Sequence, residues 1–145
     1  MKELNRAVCL LRQGGYTCVI CDRDRVLTSD KKGIAPLLER IHSGDDLHGV
    51  CVADHVVGKA AALLLVNAGV AAVYGETLSK PAKTLLESSG IYVEYGTLVP
   101  MILNRDGSGP CPMEQAVEHI SSPAQALPAL EARLAQLRGG NRKKL

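Results

Sequence analysis

Asp54, Lys59 and Glu76 are polar residues placed where apolar runs give way to helix-forming sequence, and Cys111 is a thiol set between two prolines behind a glycine-rich stretch. Asp54 follows the apolar run Val50-Cys51-Val52-Ala53 and stands where an N-cap belongs. A helix opening there would present free backbone N–H groups to an anionic or polar ligand. Lys59 falls in the first turn of that mostly apolar, Ala-rich helix. Its charge opposes the helix dipole unless an anion lies nearby, although a side chain snorkelling at the helix edge accounts for it equally. Glu76-Thr77 follows the run 71–75, at the carboxyl edge of a sheet that also holds Asp54. Neighbouring parallel strands would bring the two acids together, while capping of the next helix by Thr77 or Ser79 is the plainer alternative. His55 stands beside Asp54, but adjacent residues at a helix start diverge, and a solvated imidazole is expected.

Cys111 opens a helix at Pro112 after a loop carrying Asn104, Arg105, Asp106, Gly107, Ser108 and Gly109. That is the setting of a reactive thiol, a nucleophile or redox group assisted by Arg105 or by a histidine brought in through the fold. Glu114 has a capping-box explanation that needs no chemistry. Cys18 and Cys21 have metal-knuckle spacing, yet they lie in one β-rich run, where residues three apart point to opposite faces, and no second pair follows. Buried strand cysteines are expected there, and no metal site.

The elements that must position these groups follow from the hydrophobic rhythm. Leu4, Ala7, Val8, Leu10 and Leu11 recur at helical spacing up to Gly14-Gly15. Two β-rich runs, 17–21 and 25–28, flank Asp22-Arg23-Asp24 as a hairpin, and Ile34, Leu37, Leu38 and Ile41 share one helix face. From Leu47 the order is strand 48–53, helix 56–68, strand 70–74, helix 80–88 and strand 91–95, with Gly69 and Gly90 at helix C-caps. Such alternation favours parallel pairing under a cover of helices. The loop 100–112 exceeds a simple connection, a helix runs from Pro112 to about His119, and a final amphipathic helix spans 124–137.

The 145 residues suit one domain, here 1–138 with a disordered basic tail at 139–145. A composition 46% hydrophobic without Trp or Phe calls for close helix-on-sheet packing of Leu, Val, Ile and Ala. The net charge of +2, partly in that tail, and four scattered tyrosines exclude a nucleic-acid-binding array. No membrane span or secretory leader is read, and five cysteines, an odd number, argue for reduced thiols and a cytoplasmic setting.

The order helix, hairpin, helix, strand, Ala-rich helix, strand, helix, strand resembles the cytidine-deaminase-like fold. Val57-Gly58-Lys59-Ala60-Ala61 matches the helix on which active deaminases carry a His/Cys-x-Glu signature, and 77–91 is similar to their Pro-Cys-x-x-Cys helix ending in Ser-Gly-Ile. On that resemblance the zinc and proton-shuttle positions hold Val56, Gly58, Ser79 and Ala82, which supply neither ligand nor carboxylate. More specifically, the segments 54–62 and 104–114 resemble the bacterial family known as domain of unknown function 1893, a divergent branch of that superfamily. The resemblance covers nearly the whole chain, implies the fold and carries over no catalytic residue.

The expectation is therefore an α/β domain with three α/β/α layers and a mixed sheet, its ancestral pocket without zinc or other cofactor and holding a small polar, nucleotide-like ligand. Asp54, Lys59, Glu76, Arg105, Asp106 and Glu114 form the expected ligand site, with the loop 104–114 as its lid. The alternatives are a thiol enzyme using Cys111, or a homo-oligomeric structural or regulatory scaffold.

Overall fold

The computed structural model describes residues 1–143. The first helix, α1 (Lys2–Gly14), buries Leu4, Ala7 and Leu11 and ends at Gly15, whose φ of 71° is the left-handed conformation that glycine accepts without strain. A hairpin follows, β1 (Cys18–Cys21) and β2 (Val26–Ser29). Asp22 makes its turn: Oδ1 accepts the N–H groups of Asp24 and Arg25, each at 2.8 Å, and these bonds hold the carboxyl below its ordinary range. Then come α2 (Ala35–His42), β3 (Cys51–Val57), α3 (Lys59–Ala68), β4 (Ala72–Ser79), α4 (Lys80–Ser88), β5 (Tyr92–Val99), the short α5 (Pro112–Ala116) and α6 (Pro123–Lys143).

The five strands form one mixed sheet in the order β2-β1-β3-β4-β5. Strand β1 is antiparallel to β2 and β3, while β3, β4 and β5 are parallel. On one face α1 covers β1, β3 and β4 through Val19, Cys21, Cys51, Ala53, Ala72 and Tyr74. On the other, Cys18, Ile20, Val52 and Val73 meet residues of the remaining helices. The expected three-layer α/β/α arrangement is the observed one. Helix α3 is the centre of the thicker layer: Ala60, Ala61, Ala62, Leu63, Leu64 and Leu65 are all buried, since it contacts β3, α4, α5 and α6. A helix apolar all round needs such enclosure, and three alanines let its neighbours approach closely. Cys18 and Cys21 pack on opposite faces of the sheet, as their spacing requires.

The parallel strands run further than their hydrophobic pattern indicates. Val52 and Val57 both belong to the thicker layer's core, as do Val73 and Leu78, and Val93 and Leu98 pack against it. These residues pair across the sheet as Val52↔Val73↔Val93 and Val57↔Leu78↔Leu98. A spacing of five is incompatible with simple alternation of faces, so each strand carries an irregularity that reverses its phase. It lies between Asp54↔Gly75↔Tyr95 and Val56↔Thr77↔Thr97, at the level of His55, Glu76 and Gly96. A Cβ on Gly96 would stand 2.8 Å from the backbone oxygen of Glu76, so this level admits no side chain on β5.

Two expectations are corrected by this. Asp54 is not an N-cap but an interior residue of β3, and the N-cap of α3 is Gly58. Glu76-Thr77 does not follow β4 but lies within it. Helix α6 likewise continues through Lys143 rather than stopping at Leu137; of the expected tail, 144–145 lie outside the described residues. Among the described residues no helix is long and apolar enough to cross a membrane.

Candidate functional site

Gly58 brings no side chain to cap α3, so the first amides of a buried helix require an acceptor from elsewhere. Glu114 supplies it from 55 residues away: Oε1 accepts the Lys59 N–H at 2.7 Å and Oε2 the Ala60 N–H at 2.8 Å. The Lys59 ammonium donates to the backbone oxygen of Glu118 at 3.0 Å. The anion that Lys59 calls for is thus part of the same chain, and the expected free amides of this helix are taken. A Cβ on Gly58 would lie 2.1 Å from Glu114 Oε1 and 2.8 Å from Ile102 Cγ1, so only glycine leaves room for the carboxylate.

The neighbouring helix α4 caps itself. Ser79 is buried, and its Oγ accepts the Ala82 N–H at 3.2 Å. Between the two helix starts lies a recess of about 280 Å³, walled by Ser79, Pro81, Met101, Ile102, Pro110, Gln115 and both glutamates, 114 and 118. It shares Lys59 and Pro81 with an outer cleft of about 600 Å³. There Lys80, Thr84, Ser88 and Ser121 stand over an apolar floor of Leu63, Leu85, Pro100 and Ile120. Cations and hydroxyls over apolar walls suit a small molecule with an anionic end and a flat or apolar body.

Of the expected ligand residues, the structure brings together Lys59 and Glu114. Asp54 lines neither cavity. It is 4% exposed, pairs across the sheet with Cys18, and its Oδ2 has no hydrogen-bond partner. Burial pushes its carboxyl up to about 7, against the backbone N–H groups of Val56 and His55, which favour the charged form. The Cys18 thiol is pushed well above its ordinary value by burial and, secondarily, by Asp54. Glu76 is on the opposite face, because it accepts a hydrogen bond from Tyr74, a residue of the α1-side core. Arg12 Nη2 donates to the same Tyr74 hydroxyl at 3.0 Å, and burial followed by the Glu76 bond raises the phenol. Asp54 and Glu76 therefore do not converge: Asp54 pairs with Gly75, so Glu76, one residue further on, falls on the other face of the sheet by ordinary alternation.

Arg105 and Asp106 are exposed at a loop tip and line neither cavity. Asp106 Oδ1 accepts the Ser108 N–H at 3.0 Å and the Ser108 hydroxyl at 2.6 Å, which lowers its carboxyl and closes the tip on itself. Cys111 is half-buried as the N-cap of α5, its N–H bonded to Ile102 O at 3.1 Å and its carbonyl accepting from Gln115. It too lies outside both cavities. His55 is exposed. The four positions matched to a deaminase zinc site do not fit the metal: Val56 and Ala82 have no donor, Gly58 has no side chain, and the Ser79 oxygen is engaged as a cap. Among the described residues no three His, Cys, Asp or Glu side chains are grouped to hold a metal ion.

Lys80, Thr84, Ser121, Met101 and Ile102 line the two cavities and were not anticipated from the sequence. A usable signal was present for one: Lys80-Pro81 directly follows the capping Ser79 and repeats the placement of Lys59 at a helix start.

A family model described as a domain of unknown function, DUF1893, matches residues 6–134. The crystal structure of a DUF1893 family protein from Thermotoga maritima is similar with a TM-score of 0.82 and 26% identity, over 91% of this chain and 90% of that one. A diaminohydroxyphosphoribosylaminopyrimidine deaminase/5-amino-6-(5-phosphoribosylamino)uracil reductase from Thermotoga maritima is similar with a TM-score of 0.44 and 15% identity. That likeness covers 66% of this chain and 36% of the other. No curated protein matches.

Proposed function

The chain belongs to the DUF1893 family, which is defined by its domain and not by an activity, and we propose from the geometry of the site that it binds a small polar, nucleotide-like ligand in the double cleft beside α3 and α4. The observation that carries this reading is the joining of two unlike cavities at Lys59 and Pro81. The outer one sets Lys59 and Lys80 where an anionic group would lie, with the hydroxyls of Thr84, Ser88 and Ser121 beside them. The inner one offers the apolar surfaces of Pro81, Met101, Ile102 and Pro110. Zinc-dependent deamination is not part of this reading, since Val56, Gly58, Ser79 and Ala82 offer no ligand set. The protein acts in the cytoplasm, in keeping with its five free thiols.

The test is calorimetric titration with a panel of nucleoside monophosphates, on the wild type and on the double variant Lys80→Ala, Thr84→Ala. A charged hydrogen bond contributes about 1.5–3 kcal/mol, so the variant should bind at least roughly tenfold more weakly with an unchanged melting temperature. Absence of binding by the wild type, or equal affinity of the variant, contradicts the assignment.

A further inference from the structure

Cys21 and Cys51 are directly opposed in the antiparallel pairing of β1 with β3, and both belong to the core on the α1 side of the sheet. Opposed residues of such a pair are about 4.5–5.5 Å apart at Cα, and a disulfide spans about 4.4–6.8 Å. Their Cβ atoms, about 4.5–5.5 Å apart, stand slightly wider than the roughly 3.5–4.5 Å of a relaxed bridge. Cys21 is the last residue of β1 and Cys51 the first of β3, so a small approach of the two leaves the other pairs of this ladder in place. The remaining thiols are placed differently: Cys18 faces the opposite core, Cys9 is exposed on α1, and Cys111 caps α5. At the end of the sheet where the pair lies, a cavity of about 420 Å³ opens between the start of α1 and the hairpin turn. Cys51 is part of its wall, with Glu3, Asp22, Arg23, Asp24 and Gly49, and it shares no residue with the double cleft. Three carboxylates against one guanidinium make the rim acidic, which turns away anionic oxidants and admits a small neutral one. Cys51 is 3% exposed and Cys21 fully buried, so the cavity reaches the first thiol and not the second.

We propose that Cys21 and Cys51 form a reversible dithiol–disulfide site: hydrogen peroxide entering by this cavity oxidises the pair, and a small dithiol reduces it. The Cys51 sulfur, as thiolate, attacks one peroxide oxygen; the O–O bond breaks, Cys51 becomes a sulfenic acid, and the departing hydroxide takes up the proton that the thiol gave. The Cys21 sulfur then attacks that of Cys51; the S–S bond forms, the S–O bond breaks, and the oxygen leaves as water with the Cys21 proton. Two thiols are oxidised and the peroxide is reduced to two waters. Reduction runs by exchange: one sulfur of the dithiol attacks the bridge, its second sulfur displaces the first protein thiol, and both cysteines are restored as the reductant closes to a cyclic disulfide. Burial holds both thiols above their ordinary range, so the first step is slow and the pair responds to sustained oxidant without acting as a scavenger. The wide Cβ spacing strains the bridge and makes it easy to reduce.

In the experiment the full-length protein, reduced with dithiothreitol and desalted, is exposed to hydrogen peroxide in native buffer. Free thiols are then alkylated in urea and the peptides mapped by mass spectrometry. The expected product links Cys21 to Cys51 with loss of two hydrogens, while Cys18 is recovered alkylated. Dithiothreitol without urea should restore both thiols. In Cys21→Ser the sulfenic acid of Cys51 has no thiol to resolve it and should be caught by dimedone. In Cys51→Ser the Cys21 thiol should stay unoxidised, because the cavity does not reach it.

Recovery of Cys21 and Cys51 as free thiols after the exposed Cys9 has been oxidised overturns the proposal, as does a bridge from Cys51 to any other cysteine. A Cys21–Cys51 bridge that forms only in urea, or that dithiothreitol opens only in urea, overturns it equally. Cys51 carried on to the sulfinic acid beside a free Cys21 would show that the two sulfurs do not meet in the folded protein. Where a serine variant fails to fold, the wild-type map decides alone.

Discussion

Replacing Asp54 by asparagine should make the protein more stable at mildly alkaline pH and confer no such gain in acid. The carboxyl is 4% exposed with Oδ2 unpartnered, and its folded value is raised from 3.8 to about 7. Because the folded state holds this proton more tightly than the unfolded chain, stability is full below the unfolded value and falls as pH rises toward the folded one. At about 1.4 kcal/mol for each pH unit that separates the two values, the cost is about 4 kcal/mol once the pH exceeds both. Between about pH 5 and pH 8 the change is roughly 2–3 kcal/mol, since part of the penalty is already present at the lower pH. Asparagine removes the ionisation but leaves an amide group where Oδ2 had no partner, a penalty of about 1–3 kcal/mol that is independent of pH. The variant should therefore be near neutral or destabilised at about pH 5 and gain roughly 2–3 kcal/mol relative to the wild type by about pH 8. Urea denaturation of both proteins across that range measures this directly, and the contributions of other titrating groups cancel in the difference. Stability curves that stay parallel from acid to alkali would mean that Asp54 is charged in the folded state, which would refute a desolvated carboxyl with an unpartnered oxygen at this position.

Other consequences of the packing are simpler to test. Ser79→Ala removes the side-chain cap of α4 at a buried position and should cost about 1 kcal/mol in thermal unfolding, without altering the fold seen by circular dichroism. Gly96→Ala drives a methyl to 2.8 Å from the Glu76 backbone oxygen and should cost roughly 1–3 kcal/mol, whereas Gly109→Ala, with open space around it, should change stability by less than about 0.5 kcal/mol. Equal midpoints for the two glycine variants would show that the level of His55, Glu76 and Gly96 is not tightly packed. Tyr74→Phe breaks the bonds to Arg12 and Glu76 together and should lower stability by about 1–2 kcal/mol, measured by chemical denaturation; a neutral effect would show that the Arg12–Tyr74–Glu76 set has no structural role.

Much of the fold was legible because its signals are local. The helix that stops at Gly15, the Asp22 turn, the Ser79 cap and the opposite faces of Cys18 and Cys21 each depend on residues within a few positions of one another. The strand ends were not legible, because Asp54-His55 and Glu76 interrupt the apolar pattern as a strand terminus would. Only pairing across the sheet shows that Val57, Leu78 and Leu98 resume it in the opposite phase. The cap of α3 was not legible: a helix start without a capping side chain calls for a distant acceptor, but the identity of that acceptor as Glu114 depends on a contact spanning 55 residues. Likewise the loop composition around Arg105 and Asp106 suits a ligand contact, while only the folded structure shows that Asp106 bonds within the loop tip and that neither residue lines the two cavities.

The most direct test of the ligand cleft is a nuclear magnetic resonance titration of isotope-labelled protein with nucleoside monophosphates, read at each backbone amide. Binding in the double cleft predicts saturable shifts concentrated at residues 58–60, 79–85, 101–102 and 114–121, around the two cavities. Shifts centred instead on the α1 face around Arg12 and Glu76, or no saturable shifts with any member of the panel, would contradict it.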